Sequence, residues 1–308
     1  MENTRAKTTR NSLILLLTAT IWGMAFVSQS KGMDYMHPFT FNGVRSLIGA
    51  AGILVYILIS RKIAGDKAAK LDWKLNVRAG LLCGIFLTIA STLQQFGIKY
   101  TSVGKAGFIT TLYIIFVPMF GIFLKKKVAP VVWAAAGMAA VGMYLLCMTE
   151  SLRLGAGDIM VFLCAIAFAI QIMTVDHYAA RIDGAVVSCI QFTVCGVVCC
   201  SGPLIWGQPT FGQIQEGLGA LLYAGVLSCG VGYTLQIVGQ KGLNPTVAAL
   251  IMSLESVIAT ISGWIAYKIG FLSTDQTLTP RQIAGCVIVF AAVILVQLPP
   301  EWFRFGKK

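Results

Sequence analysis

The sequence predicts an all-α integral membrane protein, with ten transmembrane helices arranged as two inverted five-helix repeats. Three observations predict it. Charge is scarce and clustered: 12% of the residues are charged and 57% hydrophobic, and the mean hydropathy is +0.79. Apolar runs of about 20 residues separate the clusters, the length a helix needs to cross roughly 30 Å of hydrocarbon. Second, Thr92-Leu93-Gln94-Gln95-Phe96-Gly97-Ile98-Lys99 returns as Thr234-Leu235-Gln236-Ile237-Val238-Gly239-Gln240-Lys241. The match continues without a gap through Ala106/Ala248, Ile109/Ile251, Leu112/Leu254 and Gly121/Gly263. Third, the basic residues divide unevenly between the two sides such a chain would have. The outer side receives only Lys31, Lys99, Lys105, Arg153, Lys268 and Arg281, and every other Lys or Arg except Arg45 falls on the inner side. That bias places both termini in the cytoplasm, with the chain a multi-pass protein of the cell inner membrane.

The spans, in order, are Asn11–Ser30, Pro38–Ser60, Val77–Ile98, Gly104–Leu124, Val131–Met148, Asp158–Val175, Ala185–Trp206, Leu218–Gln240, Pro245–Ile269 and Gln282–Leu298. Arg5, Lys7 and Arg10 before the first span would also suit a signal peptide, but its removal would leave nine spans and break the five-plus-five pattern. His37 stands before the second span, at a membrane edge. Gly80 and Gly84 in the third form a GxxxG that permits close helix packing. Pro118 predicts a kink in the fourth. Gly155-Ala156-Gly157 reads as a tight outer loop and lacks the remainder of a phosphate-binding loop, and Asp158 is expected to cap the sixth helix. His177 stands near the inner end of the sixth. The first repeat is assigned to residues 1–150 and the second to 151–308. A half with an odd number of spans must insert upside down relative to its partner, so Lys99 ends its helix at the outer face and Lys241 at the inner.

Composition also narrows the partners. The formal net charge of +12 needs no nucleic acid, because the Arg61–Arg78 loop and the Lys125-Lys126-Lys127 run serve as topology anchors that touch anionic membrane lipid. The nine cysteines are odd in number, fall inside or at the ends of spans, and lack a histidine or second pair at ligand spacing. They are read as small apolar residues, with no metal and no cofactor expected. No nucleotide-binding motif is present, so energy would come from an ion or substrate gradient.

Local patterns then carry a family likeness. Trp22-Gly23 lies in the first helix, matched by Phe168-Ala169 in the sixth. Arg45 follows Pro38 in the second, opposite Gln191. Leu112-Tyr113-Ile114-Ile115-Phe116-Val117-Pro118 lies in the fourth and Ser253-Leu254-Glu255-Ser256 in the ninth. In this order, across nearly the whole chain, they resemble the EamA-type members of the drug/metabolite transporter superfamily. The resemblance implies a ten-helix secondary transporter, leaning toward export of amino acids and related metabolites. It also implies a cavity surrounded by helices one to four and six to nine, with five and ten outside. Family members often carry proline after the glutamate of the ninth helix. Ser256 stands there instead, which predicts a straighter helix.

Glu255 is the most informative residue. It lies about ten residues into its span, near the bilayer centre at 1.5 Å per residue, where an acid costs about 2.5–3.5 kcal/mol on insertion scales. It reads as a proton-coupling site or counter-charge for an ammonium group, or else as a structural, hydrogen-bonded carboxyl. Arg45 pairs with a substrate carboxylate, pairs with Glu255, or snorkels outward. Thr110, Tyr113 and Val117 share one face of the fourth helix, and Tyr233, Gln236 and Gln240 one face of the eighth. With Trp22, Gln94 and Gln171, the polar and aromatic members form a candidate substrate cavity, the alternative for each amide being a helix–helix contact. The expected partners are a small-molecule substrate, a coupling proton and membrane lipid, around a monomer or homodimer. The leading function is a secondary exporter of small polar metabolites by alternating access at a midplane site. A drug or organic-cation exporter with Glu255 as counter-charge is the alternative within transport. An intramembrane enzyme would need paired catalytic groups or a mid-membrane histidine, which the sequence lacks. A channel or scaffold would show neither saturation nor counterflow.

Overall fold

The structure is a computed structural model that describes residues 2–65, 71–124, 128–147, 155–202, 210–273 and 275–297. Lys67, Lys70, the Lys125-Lys126-Lys127 run, Arg153, the basic C-terminus and the end of the seventh span from 203 onward lie outside these residues. The described chain is helical, with no strand among the described residues. Its helices are α1 Glu2–Gly32, α2 Pro38–Ala64, α3 Trp73–Ile98, α4 Val103–Phe123, α5 Pro130–Cys147, α6 Ala156–Tyr178, α7 Gly184–Ser201, α8 Leu218–Gln240, α9 Pro245–Lys268 and α10 Pro280–Gln297. Eight are long and apolar enough to cross a bilayer, while α5 and α10 carry the shorter apolar stretches Pro130–Gly142 and Pro280–Leu295. A short helix, Phe211–Glu216, precedes α8.

Several helix starts are fixed by local chemistry. Asp72 accepts the Leu75 amide (3.0 Å) to cap α3, Asp183 accepts the Ala185 and Val186 amides to cap α7, and Asn244 accepts the Thr246 amide ahead of Pro245 in α9. These side chains satisfy amides that a helix leaves without intrahelical partners. Asp158 sits three residues inside α6 rather than at its cap. From there it reaches back to the Gly155 amide (2.9 Å) and takes the Lys105 ammonium (2.6 Å) and the Thr101 hydroxyl (2.9 Å), tying α6 to the start of α4. The His37 ring accepts the Phe39 amide at the start of α2. Burial, with Lys99 nearby, holds His37 below the ordinary histidine range.

Packing follows a twofold pattern. α2 lies along α7, α5 along α10 and α4 against α9, each helix on its own counterpart, while α3 packs on α6 and α1 on α8, pairs that such a symmetry exchanges. The glycine pair does what its spacing predicts. A Cβ at Gly80 would stand 2.7 Å from Ile190 Cβ, and one at Gly84 would stand 2.9 Å from Val194 Cβ, so only glycine lets α3 and α7 approach this closely.

Both central helices are interrupted, at repeat-related positions. In α4 the Leu112 amide bonds to the Ile109 carbonyl and the Ile115 amide to the Leu112 carbonyl. In α9 the Leu254 amide bonds to Ile251 and the Ser256 amide to Ser253. These three-residue steps replace the regular ladder. Hydroxyls just before each break take up carbonyls: Thr111 donates to Phe108 (2.8 Å) and its repeat mate Ser253 to Leu250 (2.7 Å). The interruption in α4 falls at Leu112, and Pro118 lies farther along, inside the helical segment Tyr113–Phe123. One expectation is corrected. The ninth helix is interrupted without the family proline, because side-chain hydroxyls compete for the same carbonyls. In α8, Tyr223–Gly232 winds as a π-helix, a form common near functional sites.

Candidate functional site

One buried cavity lies between the halves. Trp22, Arg45, Gln94, Thr110, Tyr113, Gln171, Tyr233, Gln236 and Glu255 all line it. So do Phe168, the repeat counterpart of Trp22, and Gln29, Asn42, Ser91, Phe192 and Ser228, which the sequence did not single out. Of the remaining predicted face residues, Val117 is packed in the helix core, and Gln240 turns to donate to the Ile172 carbonyl (3.4 Å).

The two helix breaks build the acidic wall. Tyr113 and Glu255 each begin the second segment of their broken helices, and the Tyr113 hydroxyl donates to Glu255 Oε1 at 3.0 Å. Glu255 is only 3% exposed. Its place in the first turn of Glu255–Lys268 adds the favourable field of a helix N-terminus, about 0.3–1 kcal/mol for a carboxylate. The partners are repeat mates, 142 residues apart.

α2 builds the basic wall. Arg45 is 4% exposed, so it does not snorkel, and no ion pair joins it to Glu255 among the described residues. Its guanidinium instead donates twice to Asn42 Oδ1, at 3.0 Å from Nε and 2.9 Å from Nη2. Asn42 is itself held by the hydroxyls of Ser91 (3.0 Å) and Thr92 (3.2 Å) on α3. The Cys199 thiol of α7 lies 3.3 Å from Asn42 Nδ2. Reading every cysteine as a small apolar filler is corrected here: Cys195 and Cys199 belong to this polar cluster.

Aromatic rings and amides close the remaining sides. Trp22 packs on Tyr233 with ring centroids 4.5 Å apart, and Tyr233 meets Phe192 edge-on at 5.0 Å. The Trp22 indole donates to the Ser228 carbonyl (3.4 Å) in the π-helix of α8, and a Cβ at Gly232 would fall 2.6 Å from that indole nitrogen. Gln94 donates to Thr110 and Gln236 to Gln171, both at 3.2 Å. Gln29 Oε1, Gln171 Nε2 and Gln236 Oε1 have no hydrogen-bond partner among the described residues, so donor and acceptor capacity remains at the cavity. The cavity gives the centre of a water-sized sphere about 30 Å³ of room, enough for a few waters and far less than a metabolite needs.

Known proteins place this architecture. The profile of the EamA-like transporter family matches residues 10–148 and, separately, residues 155–298. An "uncharacterized transporter" of Archaeoglobus fulgidus is 28% identical over 291 residues, 92% of this chain and 84% of the relative. An "uncharacterized transporter YwfM" of Bacillus subtilis is 25% identical over 295 residues, 94% of each. A solved crystal structure, 16% identical, covers 96% of this chain and 99% of its own with a TM-score of 0.74, which is a likeness of fold.

Proposed function

The chain belongs to the EamA-like transporter family, a multi-pass membrane transporter, and we propose that it is a secondary active exporter of small polar metabolites such as amino acids. The single observation that carries this reading is a buried cavity whose lining holds an acid, Glu255, and a cation, Arg45, from opposite halves. A substrate bearing both an ammonium and a carboxylate would meet a counter-charge for each. The tilted rings of Trp22, Tyr233 and Phe192 offer an apolar wall for its side chain.

The site lies where both central helices are broken, so half-helix ends face it, as in carriers with midplane sites. The closed volume supports an occluded arrangement that rocking of the repeats, residues 1–150 and 151–308, would open to either side. Glu255 carries the coupling proton, and the Tyr113 hydroxyl holds the carboxyl in place. The chain resides in the cell inner membrane with both termini in the cytoplasm and works as a monomer or homodimer. Arg45 on the cavity wall disfavours the organic-cation alternative, since a cationic drug would meet like charge.

Counterflow into proteoliposomes of the purified protein tests the reading, with labelled amino acids, organic cations and dicarboxylates as the panel. Accumulation of amino acids is expected. Accumulation of organic cations alone would transfer the assignment to drug export, and no counterflow by folded protein would overturn the carrier reading.

A further inference from the structure

A second concavity lies far from the cavity, at the end of the bundle where α2 finishes, α3 and α7 begin and α8 finishes. Arg61, Arg181 and Lys241 line it, as do Asp72, Asp183 and Asn76. The carboxylates are already engaged, Asp72 on the Leu75 amide and Asp183 on the Ala185 and Val186 amides. Lys241 donates to the Ile182 carbonyl at 3.2 Å. Arg61 and Arg181 form no ion pair with an acid among the described residues, so two forked donors face the groove.

The groove does not end at the polar rim. Tyr56, Thr234 and Val238 also line a second, apolar groove that follows the α2–α8 seam toward the bilayer interior, with Gly49, Gly52, Ile53, Val226 and Val231 along it. Tyr56, Val226 and Val231 are exposed, so the seam faces lipid. A cationic rim at the membrane edge, continuous with an apolar channel on the lipid side, has the outline of an amphiphile with an anionic head.

We propose that this composite groove binds an anionic glycerophospholipid, its phosphate against Arg61 and Arg181 and an acyl chain along the α2–α8 seam. Arginine suits the phosphate because its fork donates two parallel bonds. The bound lipid ties α2 of the first repeat to α7 and α8 of the second, across the boundary that must move during transport. It would therefore favour the closed packing of α2 on α7 and α8.

Thermal unfolding of the full-length protein in detergent, with lipid titrated in, tests this. The probes are phosphatidylglycerol, phosphatidylcholine with the same chains, and inorganic phosphate. Phosphatidylglycerol is expected to raise the midpoint at a concentration at least about tenfold below that needed for phosphatidylcholine, because each phosphate contact of this kind contributes a charge-assisted bond. Inorganic phosphate is expected to do nothing at the same concentration. The double variant R61Q/R181Q should erase the preference, while K74Q/R78Q, at the same end of the bundle but outside the groove, should keep it. Gly52→Trp fills the seam at a position where an added Cβ meets nothing within 4 Å, so it should fold and weaken the phosphatidylglycerol effect. Equal protection by both lipids, an equal effect of inorganic phosphate, equal losses in the two double variants, or full protection of Gly52→Trp would each overturn the proposal.

Discussion

Asn42 holds Arg45 in the cavity wall, and a double-mutant cycle measures how strongly. The Asn42 carbonyl oxygen takes two guanidinium bonds of 3.0 and 2.9 Å in a site where Arg45 is buried. Asn42→Leu keeps much of the volume but removes the acceptor. Bonds to charged groups contribute about 1.5–3 kcal/mol each, and stranding a buried charge costs about 3–5 kcal/mol, so a destabilisation of about 3–4 kcal/mol is expected. Arg45→Leu strands the Asn42 oxygen instead, at about 1–3 kcal/mol. The double variant strands neither, so the cycle should return a coupling of about 2–3 kcal/mol, against the additivity within about 0.5 kcal/mol of independent sites. Reversible unfolding in mixed detergent micelles supplies the four free energies. Additive single costs would refute the claim that Asn42 positions Arg45.

Tyr113→Phe removes the hydroxyl that donates to Glu255 at 3.0 Å; loss of a hydrogen bond of about 0.5–1.5 kcal/mol predicts a fall of about two- to tenfold in initial transport rate, read against an unchanged amount of folded protein. Gly80→Val forces a Cβ to within 2.7 Å of Ile190 and should cost about 1–3 kcal/mol by overpacking. Gly52→Ala, with open space at its Cβ, should stay within about 0.5 kcal/mol; thermal unfolding compares the two. Asp158→Asn weakens the half-buried link to Lys105 and should lower stability by about 1–2 kcal/mol, a difference that high salt leaves largely intact because Asp158 is buried.

Much of this was legible in the sequence for a physical reason. Inside hydrocarbon a polar side chain must face a partner or a wet cavity, so Arg45, Gln94, Gln171, Gln236 and Glu255, read from depth, helical spacing and the repeat, share one cavity. Asn42 was missed although its signal was present, one helical turn before Arg45 on the same face. Ser228 was not legible, because its carbonyl reaches Trp22 through a π-wound backbone that side-chain periodicity does not encode. Proline is the strongest local signal of a bend, but both interruptions lie away from proline, at the repeat-mate hydroxyls of Thr111 and Ser253. Cysteine in a span is usually filler, and only the fold brings Asn42 to the thiols of Cys195 and Cys199.

The most direct test of the central claim is proton-driven transport by Glu255→Gln beside the unaltered protein, in proteoliposomes across a range of pH. The account predicts that the unaltered protein accumulates substrate against its gradient when a proton gradient is applied. Glu255→Gln, folded and correctly inserted, should lose that accumulation at every pH. Accumulation by Glu255→Gln equal to that of the unaltered protein, with the same pH dependence, would contradict it and leave Glu255 a structural carboxyl.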